Sequence, residues 1–179
     1  EKSGVMERLF SAVRLLFSRI NGSLFVAVLL VSTIFAAATG IVGASVTILG
    51  IMSAKAMSGS GYDVRLAAGS ITAGGTLGIL IPPSIMLVVM GPVFEIPVTE
   101  LFQAAILPGI MLASLYVAYV LIRSWMNPNL GPKLPVEERA GSYGEIFVEL
   151  FMGLIPPVIL IGATLGSIVG GWATPTEAA

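Results

Sequence analysis

Ala73-Gly74-Gly75-Thr76-Leu77-Gly78-Ile79-Leu80-Ile81-Pro82-Pro83-Ser84 is the stretch whose reading decides the fold. It lies inside Leu66 to Phe94, a run of 29 residues without a charged side chain. About 20 apolar residues suffice to cross a bilayer, so this run is long enough to span. Glycine costs backbone entropy in a helix, and proline lacks the N–H and clashes with the preceding turn. The spacing therefore predicts a helix that opens between Gly74 and Ser84. In hydrocarbon an opened backbone is tolerated only where protein buries its polar groups or where they line a polar cavity. Secondary transporters use such discontinuous helices at mid-membrane, with carbonyls around a cation and half-helix N-termini facing an anion. The competing reading is a kink that only shapes packing.

Composition agrees with a membrane setting. The chain of 179 residues is 56% hydrophobic and only 11% charged, with a net charge of −1, whereas soluble domains carry about 25% charged residues. With no cysteine and no histidine, disulfides, cysteine or histidine zinc sites, and Ser-His or Cys-His catalysis are excluded within this stretch. An enzyme is not expected. The balanced charge gives no support to nucleic-acid binding. No signal peptide is visible. Because the chain starts without methionine and stops at Thr-Glu-Ala-Ala, a fragment of a longer polypeptide is expected.

Outward from the central stretch, residues 1–22 read as an amphipathic cytoplasmic surface or arm helix, with Arg8, Arg14 and Arg19 opposite an apolar face. A connector packed against other protein is the alternative. Residues 23–57 form two apolar arms about Thr39-Gly40-Ile41-Val42-Gly43. Each arm of about 15 residues reaches about 22 Å, short of a core of about 30 Å. Basic residues bracket both ends, which predicts a re-entrant helical hairpin; a single long span ending near Lys55 is the rival. Residues 58–98 form the discontinuous transmembrane helix, emerging at Glu95-Ile96-Pro97-Val98-Thr99-Glu100, an acidic outer end. Residues 99–125 are a transmembrane helix returning to Arg123, and 126–145, rich in Pro, Gly and charge, are a cytoplasmic loop. Residues 146–171 are a further span, bent at Pro156-Pro157, and 172–179 begin a truncated second half. The fold class expected is all-α integral membrane protein, a helical hairpin plus a discontinuous helix, one half of an inverted-repeat transporter.

Gly75-Thr76-Leu77-Gly78-Ile79-Leu80-Ile81-Pro82-Pro83-Ser84 also resembles the large membrane subunit of the tripartite ATP-independent periplasmic (TRAP) transporters. Supporting matches are Ile34-Phe35-Ala36-Ala37, Gly61-Tyr62-Asp63, Leu101-Phe102 with Leu107-Pro108-Gly109, and Thr174-Pro175-Thr176-Glu177-Ala178-Ala179, in family order over nearly the whole chain. The resemblance implies a bacterial inner-membrane permease subunit that imports organic acids, often dicarboxylates, by symport. It also implies sodium as the coupling ion in place of ATP, elevator-type motion, a small TRAP membrane subunit and a periplasmic substrate-binding protein. No other cofactor is implied. One departure stands out: the family commonly has Ser-Gly-Ser-Ser at the hairpin tip where this chain has Thr39-Gly40-Ile41-Val42. Ligation at 41 and 42 is then left to backbone carbonyls, and the substrate is either less polar or differently placed.

Sodium prefers oxygen ligands. The candidates are carbonyls of Gly40, Gly75 and Gly78 with hydroxyls of Thr39, Ser45 and Thr76. For the hydroxyls the plainer alternative is a bond back to their own helix. Carried over from the resemblance, candidate substrate contacts are Thr39, Gly40, Gly74, Thr76, Pro83, Ser84, Thr174 and Thr176, with the helix opened by Pro82-Pro83 facing its N-terminal dipole to a carboxylate. Thr174 or Thr176 alternatively caps a following helix. Two other functions compete with the importer: an ion-coupled secondary transporter without a binding protein, and a non-transporting membrane assembly subunit.

Overall fold

The computed structural model describes residues 5–134 and 143–174, and every regular element among them is helical. In order these are α1 (Val5–Leu16), α2 (Ser23–Thr39), α3 (Val42–Gly59), α4 (Val64–Leu80), α5 (Ile85–Phe94), α6 (Val98–Met126), a single 3-10 turn (Pro128–Leu130) and α7 (Tyr143–Val169). α2 is apolar on all sides, the pattern of a helix enclosed by others. Leu24, Phe25, Val28 and Leu29 are at most 1% exposed, with α1, α3, α4, α6 and α7 around them. Outward faces of α5, α6 and α7, including Val93, Leu107, Met111, Phe151 and Ile159, are exposed. α3, α6 and α7 are each long and apolar enough to span, and α4 with α5 forms a fourth candidate span, bent by 44°.

α2 and α3 turn on Gly40, whose φ is +62°, a left-handed value that glycine adopts without a Cβ penalty. At the opposite end the chain is tied by side chains and turns. The Tyr62 hydroxyl accepts from Leu24 N at 3.2 Å and bonds Ser23 Oγ at 3.2 Å, while its ring meets Phe25 edge-on at 4.8 Å. Gly22 N donates to Gly131 O at 2.8 Å and Asp63 N to Leu130 O at 2.9 Å. This tied end gathers Arg19, Arg65, Arg123 and Lys133, whereas Glu95 and Glu100 sit where α5 passes to α6. The basic end of the bundle is the expected cytoplasmic side.

One expectation is corrected. The helix does not open at Gly74: α4 is continuous through Leu80, and only Ile81 to Ser84 leave it. A side-chain carbon at Gly74 would collide with Ser32 of α2 (Cβ at 2.7 Å), and one at Gly75 with Val46 of α3, whose amide nitrogen stands 3.2 Å away. These glycines let three helices approach closely. In a bilayer, where lipid is as apolar as leucine, such van der Waals packing of small residues holds helices together. The apolar face of α1 packs on the chain itself. Its Leu9, Phe10 and Val13 are buried between α2 and α7, and a Cβ on Gly153 of α7 would stand 3.0 Å from Leu9 Cβ. Pro108, Pro156 and Pro157 lie inside the continuous helices α6 and α7. Residues 135–142, within the expected cytoplasmic loop, lie outside the described residues, as do 175–179.

Candidate functional site

The two interruptions of the helical ladder meet. A side-chain carbon at Gly40, on the hairpin tip, would stand 3.1 Å from Pro83 O, 3.3 Å from Ile85 N and 3.5 Å from Ser84 Cα. The tip thus rests on the α4–α5 break. Two helices begin here, α3 after Ile41 and α5 after Ser84, and neither starting residue caps its helix with a side-chain hydrogen bond. The first amides of an α-helix have no intrahelical partner and carry the positive end of the helix dipole. Two uncapped N-termini converge on the same region.

The carbonyl side of the break follows from its prolines. Residues 82 and 83 offer no N–H, so the carbonyls of Gly78 and Ile79 lose their i+4 donors. Ile79 O is recovered by the Ser84 hydroxyl, which donates at 2.8 Å, and Ile81 N donates to Leu77 O at 2.9 Å. Gly78 O has no hydrogen-bond donor among the described residues. It lies on the last turn of α4, just before the break.

The residues named from sequence divide accordingly. Gly40, Pro83 and Ser84 are brought together, with Gly78 one turn below on α4. Ser84 is 1% exposed and closes the end of α4 through Ile79 O. Ser45, fully buried in the first turn of α3, donates to Ile41 O at 2.9 Å. Thr76 is exposed and donates to Ala73 O at 2.7 Å. Both bond back to their own helices. Gly74 and Gly75 are closed in by α2 and α3. Thr39 ends α2 beside the tip, its side chain outside the described residues. Thr174 is exposed beyond α7, and Thr176 falls outside the described residues. Sequence reasoning missed Ile79, whose carbonyl holds Ser84, and Ile85, whose amide faces the tip; the Pro82-Pro83 pair is the signal that points to the first.

A hairpin tip seated on a broken helix, wrapped by spans with apolar outer faces, defines a multi-pass membrane protein of the discontinuous-helix kind. The chain belongs to the family "Tripartite ATP-independent periplasmic transporter, DctM component", whose sequence model matches residues 1–179. It is 36% identical over 178 residues to the C4-dicarboxylate TRAP transporter large permease protein DctM of Pseudomonas aeruginosa, covering 98% of this chain and 40% of that protein. It is 32% identical over 181 residues to the sialic acid TRAP transporter large permease protein SiaM of Vibrio cholerae, covering 99% and 40%. To the ectoine TRAP transporter large permease protein TeaC of Halomonas elongata it is 33% identical over 175 residues, covering 96% and 39%. The chain thus spans about two fifths of the length of these relatives. They are permease subunits of transporters rather than enzymes.

Proposed function

We propose that this chain supplies the hairpin and broken helix of one half of a permease that imports small organic acids into bacteria across the inner membrane. The import is coupled to sodium and fed by a periplasmic substrate-binding protein, with a small TRAP membrane subunit alongside. The observation that carries the reading is the seating of Gly40 on Pro83 and Ser84, which brings together two uncapped helix N-termini, one turn from the Gly78 carbonyl that has no donor among the described residues. Amides of the first turns of α3 and α5 suit a carboxylate. Gly78 O, the Gly40 carbonyl and the Ser45 oxygen suit a weakly held monovalent cation, and hard cations favour such oxygen donors. Relatives are named for C4-dicarboxylates, sialic acid, ectoine and isethionate, compounds that share an anionic acid group, carboxylate or sulfonate, and little else. A site of backbone dipoles recognises that common group, and the isoleucine and valine at 41 and 42 leave the tip less polar than one lined by hydroxyls.

Movement of the tip and break as one body, relative to flanking spans, would carry the bound acid across; this is the elevator mode. The test is uptake of C4-dicarboxylates by the full-length permease with its small subunit in proteoliposomes, with and without a sodium gradient and with and without the binding protein. Uptake that needs both supports the proposal. Uptake indifferent to the binding protein favours the simpler ion-coupled transporter, and uptake indifferent to sodium removes the cation role of Gly78 and Ser45. Absence of uptake by an otherwise folded complex favours a non-transporting assembly subunit.

A further inference from the structure

At the basic end, far along the bundle from the hairpin tip, α4 and α6 diverge over a cleft of about 510 Å³. That volume falls within the range of about 300–1,000 Å³ usual for small-ligand sites. Its polar lining comes from Arg65 on the first turn of α4 and from Tyr116, Tyr119 and Arg123 on the last turns of α6, with Leu29 of the buried helix α2 as an apolar wall. Neither guanidinium, and neither tyrosine hydroxyl, makes a hydrogen bond or ion pair with any described residue. The one carboxylate on the lining, Asp63, is turned to its own helix: its Oδ1 accepts from Leu66 N at 2.8 Å and caps α4. Four donors from two helices thus face one space with no acceptor assigned to them.

We infer that this cleft binds the phosphate headgroup of an anionic membrane phospholipid. Paired arginines present planar forks that match phosphate oxygens, and each such contact is charge-assisted. Depth selects the lipid over a soluble anion. α6 runs 29 residues, about 43 Å at its rise per residue, so its last turns reach the headgroup layer. Trp125, 80% exposed, marks that layer as interfacial aromatics do. From the cleft the surface of α6 continues into exposed Leu115 and Ile122, an apolar track for acyl chains. Clefts of basic residues between spans on the cytoplasmic side are a recurrent form of anionic-lipid site. The inference needs only the membrane placement of the chain, and neither sodium coupling nor the transported acid.

Gly69 allows a test that leaves every charge in place. It lines the cleft, and a side-chain carbon built on it meets no atom within 4 Å, so Gly69→Leu fills space without disturbing the helix. The full-length permease with its small subunit, delipidated in detergent, is titrated with short-chain phosphatidylglycerol, phosphatidylcholine or inorganic phosphate, and bound lipid is counted by native mass spectrometry. Wild type is expected to bind one phosphatidylglycerol that is lost at least about tenfold in Arg65→Gln/Arg123→Gln, two interfacial cations being removed. Gly69→Leu is expected to lose it to the same degree, while Arg65→Lys/Arg123→Lys retains part. Equal binding by wild type and Gly69→Leu, or equal affinity for phosphatidylcholine, overturns the inference. Inorganic phosphate that competes as well as the lipid, mole for mole, overturns the lipid assignment in favour of a soluble-anion site. Thermal unfolding of each variant separates lost binding from lost fold, and Gly69→Leu decides should the arginine variant unfold.

Discussion

Gly40 of the hairpin tip lies against the carbonyl of Pro83, with room for no side chain between: a Cβ there would sit 3.1 Å from that oxygen and 3.3 Å from the amide nitrogen of Ile85. The contact spans 43 positions of sequence and unites the only two places among the described apolar arms where the backbone stops being helical at mid-element. A left-handed backbone and a close approach coincide at one residue, so the tip tolerates no side chain.

Gly40→Val is therefore expected to abolish uptake by the full-length permease. A β-branched residue at φ +62° costs about 1–3 kcal/mol in backbone strain, and its side chain must push the tip off the break. Gly40→Ala is expected to be milder, at about 1–2 kcal/mol. Uptake rate and thermal unfolding, measured together, check both; wild-type uptake in Gly40→Val would show that the tip need not touch Pro83.

Gly75 makes a second close approach, to Val46. Gly75→Ala is expected to destabilise the protein by about 1–3 kcal/mol through overpacking. Val46→Ala in the same chain should recover only part, because the new carbon also stands 3.2 Å from Val46 N and 3.3 Å from its Cα. A double-mutant cycle by thermal unfolding measures the recovered share. Additivity would mean that the two residues do not touch.

Tyr62→Phe keeps the ring against Phe25 but removes the hydroxyl that accepts from Leu24 N and bonds Ser23 Oγ. The buried start of α2 then holds an unsatisfied amide, at a cost of about 1–3 kcal/mol. The expected result is a lower unfolding temperature with sodium dependence unaltered, since Tyr62 is at the other end of the hairpin from the tip. A shift in sodium dependence would contradict that separation.

Pro82→Ala returns an N–H one turn above Gly78, where it can satisfy the carbonyl left open by proline. A higher sodium concentration for half-maximal uptake is expected. Thr76→Ala, which removes an exposed hydroxyl turned back to Ala73 O, is expected to leave sodium activation unchanged. Sodium titration of uptake distinguishes them, and the reverse pattern would move the cation from the break to the face of α4.

Much of this architecture is legible in the residues. Sparse charge, the Gly40 turn and the uncharged run from Leu66 to Phe94 specify a membrane bundle with two helices joined at a turn and an interrupted helix, although α3 came out long and apolar enough to span where its arm read as too short. The proline pair marks where hydrogen bonding must fail, because a missing N–H is missing in any environment. Glycine carries no such certainty. Gly74 and Gly75 look like helix breakers in a string, yet the folded chain uses their missing side chains to bring α4 onto Ser32 and Val46, and their helical hydrogen bonds survive. The amphipathic pattern of α1 likewise shows that one face is apolar without naming α7 as the neighbour of Leu9.

Local chemistry in the chain determined which backbone groups would lack partners and which segments would avoid water, since both follow from the covalent structure of single residues. Which distant elements meet was decided by tertiary packing alone: Gly40 with Pro83, Tyr62 with Ser23, Arg65 with Arg123. In hydrocarbon, apolar faces are equally at ease against lipid or protein, and shape complementarity between helices far apart in sequence selects the neighbour.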